Sequence, residues 1–170
     1  MLEKMPNFNE IAKQLILDAQ TIAEVEMINF VMGNFEKQGF LDSSLQPWQE
    51  RNNGSDSGRA VLTKSGALRD SIKLISSSNK RVVVGSDSKY AKIHNEGGVV
   101  NIPITAKMRK FFWYKFKETG EGKFKGMALN KKTHFSFTVP KRQFMGESIT
   151  FNSDIDLKFI KMIERRFKTQ

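Results

Sequence analysis

The 170-residue chain carries 28 Lys and Arg against 18 Asp and Glu, a formal charge of +10. Its length fits one domain, its 14 Phe and 2 Trp can fill a core, and its 27% of charged residues argues against a disordered or fibrous chain. Without cysteine there are no disulfides, thiolate nucleophiles or Cys-ligated zinc sites, and His94 and His134 supply the only imidazoles.

The start, MLEKMPNFNE, lacks the apolar run of a secretory signal, so a soluble cytoplasmic product is expected. Phe8 to Phe35 then reads as one long amphipathic helix, with Phe8, Ile11, Leu15, Ala19, Ile22, Ile28, Val31 and Phe35 at helical spacing. Asn7 or Asn9 is placed to cap it, and Gly39 to end it. Met27, Phe30 and Met32 widen the apolar stripe, which predicts deeper packing of that end. Asp42 to Gly58 is rich in Ser, Asn, Gly and Gln and reads as a surface loop anchored by Trp48, with a flexible stretch at 52–58. Thr63 or Ser65 would cap a helical turn over Gly66 to Asp70.

Ser71 to Ile75 and Arg81 to Gly85 are predicted strands joined by a Ser-Ser-Asn-Lys turn. The Val82-Val83-Val84 run suggests burial on both faces. Tyr90 to Asn95 reads as one helical turn stopped by Gly97-Gly98. The longest stretch free of Asp, Glu, Lys and Arg, Gly97 to Ala106, is well short of the roughly 18 apolar residues of a membrane span. Thr105 to Glu118 is read as a helix, Glu121 to Lys132 as a flexible tip, and His134 to Val139 as a period-two strand stopped by Pro140. Ser153 to Phe167 closes the chain as a second amphipathic helix, capped by Ser153 or Asp154, with Ile155, Phe159, Met162, Ile163 and Phe167 on one stripe. The pattern is α+β: helices packed on a small antiparallel sheet.

Charge is unevenly placed. Residues 1–60 hold 5 basic and 9 acidic groups, whereas 105–142 hold 11 basic groups against Glu118 and Glu121. Such a chain can pair its own ends, pair head to tail with copies of itself, or meet an acidic partner or nucleic acid. Lys107, Arg109, Lys110, Lys115 and Lys117 interleave with Phe111, Phe112, Trp113, Tyr114 and Phe116. This composition suits phosphate contact and base stacking, and equally a helix with a core-facing aromatic side and solvated lysines.

Catalytic motifs are weak. Gly85-Ser86-Asp87-Ser88-Lys89 lacks the second glycine of a phosphate loop, and no second His or Cys stands at ligand spacing from His94. His94, closing a helical turn before two glycines, is read as structural in preference to a general base. Asp154 and Asp156 sit at a helix start, where capping accounts for them. No enzyme, cofactor or metal is expected.

The succession Leu62-Thr63-Lys64-Ser65-Gly66-Ala67-Leu68-Arg69-Asp70-Ser71-Ile72, Val84-Gly85-Ser86, Tyr90-Ala91-Lys92-Ile93-His94-Asn95-Glu96-Gly97-Gly98 and Val139-Pro140-Lys141-Arg142-Gln143-Phe144-Met145-Gly146 resembles the phage virion morphogenesis family. That family includes the tail-completion proteins of contractile-tailed phages and the Mu-like G proteins. Ser65 stands where the family usually has threonine, and Gln143 where a second proline is common. The resemblance implies one domain over 1–170: an α+β fold with long N-terminal and C-terminal helices, and a variable, basic-aromatic insertion near 105–133.

It further implies a non-catalytic virion protein assembled in the bacterial host cytoplasm, acting in tail completion or head–tail joining. The expected partners are further copies of the chain, in a ring, and phage tail or neck proteins, with non-specific DNA contact and no membrane. Arg69, Tyr90, His94, Arg142 and Phe144 are the expected subunit or partner contacts, although Arg69 and Arg142 suit bonds to loops of their own chain equally well. The alternative from the residues alone is a nucleic-acid-binding protein using Lys107, Arg109, Lys110, Lys115 and Lys117. A hydrolase built on His94 ranks last.

Overall fold

The computed structural model describes residues 7–50 and 58–168. The chain forms two compact units: one takes the chain up to Glu96 and resumes at Lys141, and the other is Gly97–Pro140. Of the loop expected to be flexible at 52–58, residues 52–57 lie outside those described.

The larger unit is organised on α1 (Phe8–Lys37), 30 residues and roughly 45 Å long. Asn7 caps it as the sequence suggests, its side chain accepting from the Glu10 amide at 3.3 Å. The helix ends one residue before the expected glycine. Gln38 takes the left-handed conformation at φ 53° and is held there by its own bonds: its side-chain amide donates to the Phe35 carbonyl at 2.6 Å, and its backbone carbonyl accepts from the Trp48 amide at 2.8 Å. Gly39 serves the next element, because a Cβ there would lie 2.7 Å from the Gln46 carbonyl oxygen across the pair β1 (Gly39–Leu41) and β2 (Leu45–Pro47). The expected loop therefore begins with a tight hairpin, and Trp48 is buried behind it as the anchor.

The short α2 (Ala67–Asp70) leads into β3 (Ile72–Ser78), which pairs antiparallel with β4 (Arg81–Ser86). The register slips between Leu74 and Ser76, so Ile75 bulges. Gly85 lies beneath it, where a Cβ would stand 3.1 Å from the Ile75 side chain. The valine run of β4 is half-buried and not enclosed on both faces, because its sheet has two strands and packs against α1. Ser77 fixes that packing through Gln20, at 2.7 Å, and Glu24.

After α3 (Ala91–Glu96) the unit resumes at Lys141 and closes with α6 (Ile149–Lys168). This helix starts a turn before the expected Ser153, because Ser148 and Asp42 accept from the Phe151 and Ile149 amides at 3.1 and 3.0 Å. It runs antiparallel to α1, with Phe151 against Phe30, Lys158 paired to Glu26, and Arg166 to Asp18. Ile155, Phe159 and Met162 are half-buried as expected, whereas Ile163 and Phe167 are exposed. The core gathers Val31, Phe35, Trp48, Val61, Ile72, Ala91 and Phe144.

The smaller unit pairs β5 (Gly98–Pro103) with β6 (His134–Val139) around α4 (Ala106–Thr119) and α5 (Gly122–Leu129). Thr105 caps α4, accepting from Met108 at 3.2 Å. Strand β5 is not expected from the sequence, and α5 replaces the expected flexible tip. Among the described residues, three antiparallel two-stranded sheets with long first and last helices make the fold α+β. Among the described residues no helix is long and apolar enough to cross a membrane.

Candidate functional site

The residues shared by the sequence motifs converge where α2, β4 and α3 meet in the larger unit. Gly66 opens α2 at φ 72°, a left-handed conformation that favours glycine, and a Cβ there would press on the Asp70 carboxylate at 3.1 Å. Hydroxyls then tie the pieces together. Ser71 donates to the Leu68 carbonyl at 2.6 Å and meets the Ser86 hydroxyl at 2.6 Å, while Ser86 accepts from the Ser88 amide at 3.1 Å. The Ala91 amide donates to the Ser88 carbonyl at 3.0 Å, which starts α3.

The far end of α3 is stapled to the segment after Pro140. The Arg142 amide donates to the His94 carbonyl at 2.8 Å, and the Asn95 side chain accepts from the Phe144 and Met145 amides, each at 2.9 Å. The same segment is held from α1 by Asn34, which donates to the Phe144 carbonyl at 3.2 Å, and by the Trp48 indole, which donates to the Gln143 carbonyl at 2.7 Å. Each staple satisfies a backbone group that would be costly to bury unpaired. Asn34 and Asn95 were missed by sequence reasoning. The available signal for Asn34 was a polar residue set between Val31 and Phe35 on an otherwise apolar helix face.

Beside these links lies an open pocket of about 380 Å³. Val61, Leu62, Ala67 and Leu68 line it together with the polar Lys64, Ser65, Ser88, His94 and Arg142, and with Tyr90. Tyr90 is 57% exposed, whereas Arg142 is buried and donates through Nε and Nη2 to the Gln49 carbonyl at 3.1 and 2.9 Å. Burial, reinforced by the Arg142 charge, pushes the His94 imidazole below its ordinary value of 6.5. Its Nδ1 is buried without a hydrogen-bond partner among the described residues. Among the described residues no group of three or more His, Asp or Glu could hold a metal ion.

Of the expected contact residues, Tyr90, His94 and Arg142 share this pocket. Arg69 stands outside it, paired to Asp70 at 3.1 Å. Phe144 is fully buried against Phe35, with ring centroids 5.1 Å apart, so its role in this unit is core packing.

In the smaller unit the five basic residues separate. Arg109 is turned inward and donates to the carbonyls of Ala128, at 3.1 Å, Asn130 and Lys132, at 3.2 Å, closing the end of α5. Lys115 is half-buried and pairs with Glu118 at 2.5 Å, which holds its ammonium above the ordinary lysine value. Lys107, Lys110 and Lys117 remain exposed.

Comparison with curated proteins and with solved structures returned no match. A family model does match, over residues 25–157, from the second half of α1 to the first half of α6, so that it includes the pocket and all of the smaller unit. On that match the chain belongs to the phage virion morphogenesis family and has a structural or assembly role in the phage particle.

Proposed function

We propose that the chain is a non-catalytic protein of phage or prophage virion assembly, acting in tail completion or head–tail joining. It associates with copies of itself and docks neighbouring tail or neck proteins. The observation that carries this reading is the family match over residues 25–157. The pocket at which Tyr90 is exposed adds to it, as a surface that a segment of a neighbouring protein can meet. A contact between unlike surfaces that closes after a fixed rotation gives a ring.

Light scattering coupled to size exclusion tests the self-association. The chain should elute as a discrete multiple of its 19.5 kDa mass. Tyr90→Ala, at an exposed position, should shift it toward the monomer with its helical circular dichroism unchanged. A chain that stays monomeric at hundreds of micromolar and on assembled particles would contradict association as the mode of action.

A further inference from the structure

The outer face of α4 carries chemistry that the assembly role does not use. Within this helix Met108, Arg109, Phe112, Lys115 and Phe116 form the half-buried side, and the Phe112 ring meets Phe135 of β6 edge-on at 6.0 Å. The opposite side presents Lys107, Lys110, Tyr114 and Lys117 in one row, at i, i+3, i+7 and i+10. The row is roughly 15 Å long, the rise of about four base pairs at 3.4 Å per nucleotide step. Phe111 and Trp113 flank it on either side, 52% and 37% exposed, and Tyr114 within it is 60% exposed.

Charge in this unit is poorly compensated. Gly97–Pro140 has 9 basic residues and only Glu118 and Glu121 as acids. Both acids are already engaged, Glu118 by Lys115 and Glu121 by Lys123. A row of ammonium groups whose nearest acids are paired elsewhere, interleaved with exposed aromatic side chains, is complementary to a phosphodiester backbone with its bases and sugars.

A membrane surface fits less well. A helix lying on lipid needs a continuous apolar face toward the acyl chains. Here the apolar face is spent inside the unit, on Phe135 and its neighbours, while the centre of the solvent side is lysine.

We propose that the outer face of α4 binds nucleic acid, with Lys107, Lys110 and Lys117 on phosphates along that span and Tyr114, Phe111 and Trp113 against bases or sugars. The contact is independent of sequence, because phosphates and π-faces are common to every nucleotide. It holds whether or not copies of the chain associate.

The test uses the full chain with fluorescein-labelled 30-nucleotide DNA of mixed sequence, single-stranded and duplex, and fluorescence anisotropy between about 50 and 300 mM salt. Affinity should fall linearly on a logarithmic salt axis. The triple variant Lys107→Gln, Lys110→Gln, Lys117→Gln should lower that slope by about 2 to 3. Lys13→Gln, Lys92→Gln and Lys168→Gln together remove the same charge from the larger unit and should leave the slope nearly unchanged. Substituting Trp113 and Tyr114 by Ala should weaken single-strand binding by about tenfold or more. In the unmodified chain, bound DNA should protect Lys107, Lys110 and Lys117, but not Lys92 or Lys168, from acetylation.

Preference for single strands would assign the rings to base stacking, and equal affinity for duplex would assign the contact to the lysines; either supports the proposal. No binding at about 50 mM salt would overturn it. An equal loss in both triple variants, or binding of anionic vesicles without binding of DNA, would overturn it as well.

Discussion

His94 is the residue whose environment has the clearest consequence. Burial beside Arg142 disfavours protonation of its imidazole in the folded chain, while the unfolded chain protonates it near the ordinary value of 6.5. Just below that value the unfolded state binds more protons, so stability is fully present above it and is lost as pH falls through the depressed folded value. Thermal melts from pH 7.5 to 5.5 should therefore show a falling midpoint in the native chain and a flatter profile in His94→Gln. The acids do not confuse this window. Glu24, lowered by its bonds from Ser77 and Gln20, and Asp87, lowered by Lys73, give up their contributions only below their ordinary values of 4.5 and 3.8. The sequence picked out Tyr90, His94 and Arg142 as a group through their order in the motifs. It did not reveal that Phe144, quoted in the same motif, faces the core, because a motif preserves packing residues and surface residues alike.

At the scale of elements, long periodic segments were legible and short supported ones were not. Both terminal helices could be read because an apolar stripe repeated at helical spacing over more than three turns fits neither a strand nor a loop. Helix α5 was hidden by its glycines and lysines, which favour a loop by local propensity. What forms it is tertiary: Ala128 is buried, Phe124 half-buried one turn before, and Arg109 bonds three carbonyls at and beyond the helix end. Arg109→Gln should consequently speed amide hydrogen exchange across residues 124–132 by about tenfold or more, leaving α1 unaffected. Strand β5 was missed for a related reason. Its partner β6 lies more than thirty residues along the chain, with Ile102 opposite Phe135 and Asn101 opposite Ser136, and most of its residues are exposed. Exposure removes the burial pattern by which a strand is recognised. For β4 the error ran the other way: three valines suggested full enclosure, but a two-stranded sheet against one helix half-buries them.

Across the whole molecule, the acidic first third and basic remainder have a partial account inside the chain. Asp18 and Glu26 of α1 are answered by Arg166 and Lys158 of α6. The exposed lysines of Gly97–Pro140 are left over, and the proposed nucleic-acid contact uses them. The family match gives the chain its part in the virion, and the motif order in the sequence pointed there because those residues build one region, from the Ser71–Ser86 link to the staples on Phe144. That the chain completes tails or joins them to heads is tested most directly by electron microscopy of particles made by a phage with and without its gene. The account predicts filled heads and separate tails in the deletion, rejoined when the gene is supplied in trans. Normally joined, infectious particles without the protein would contradict it.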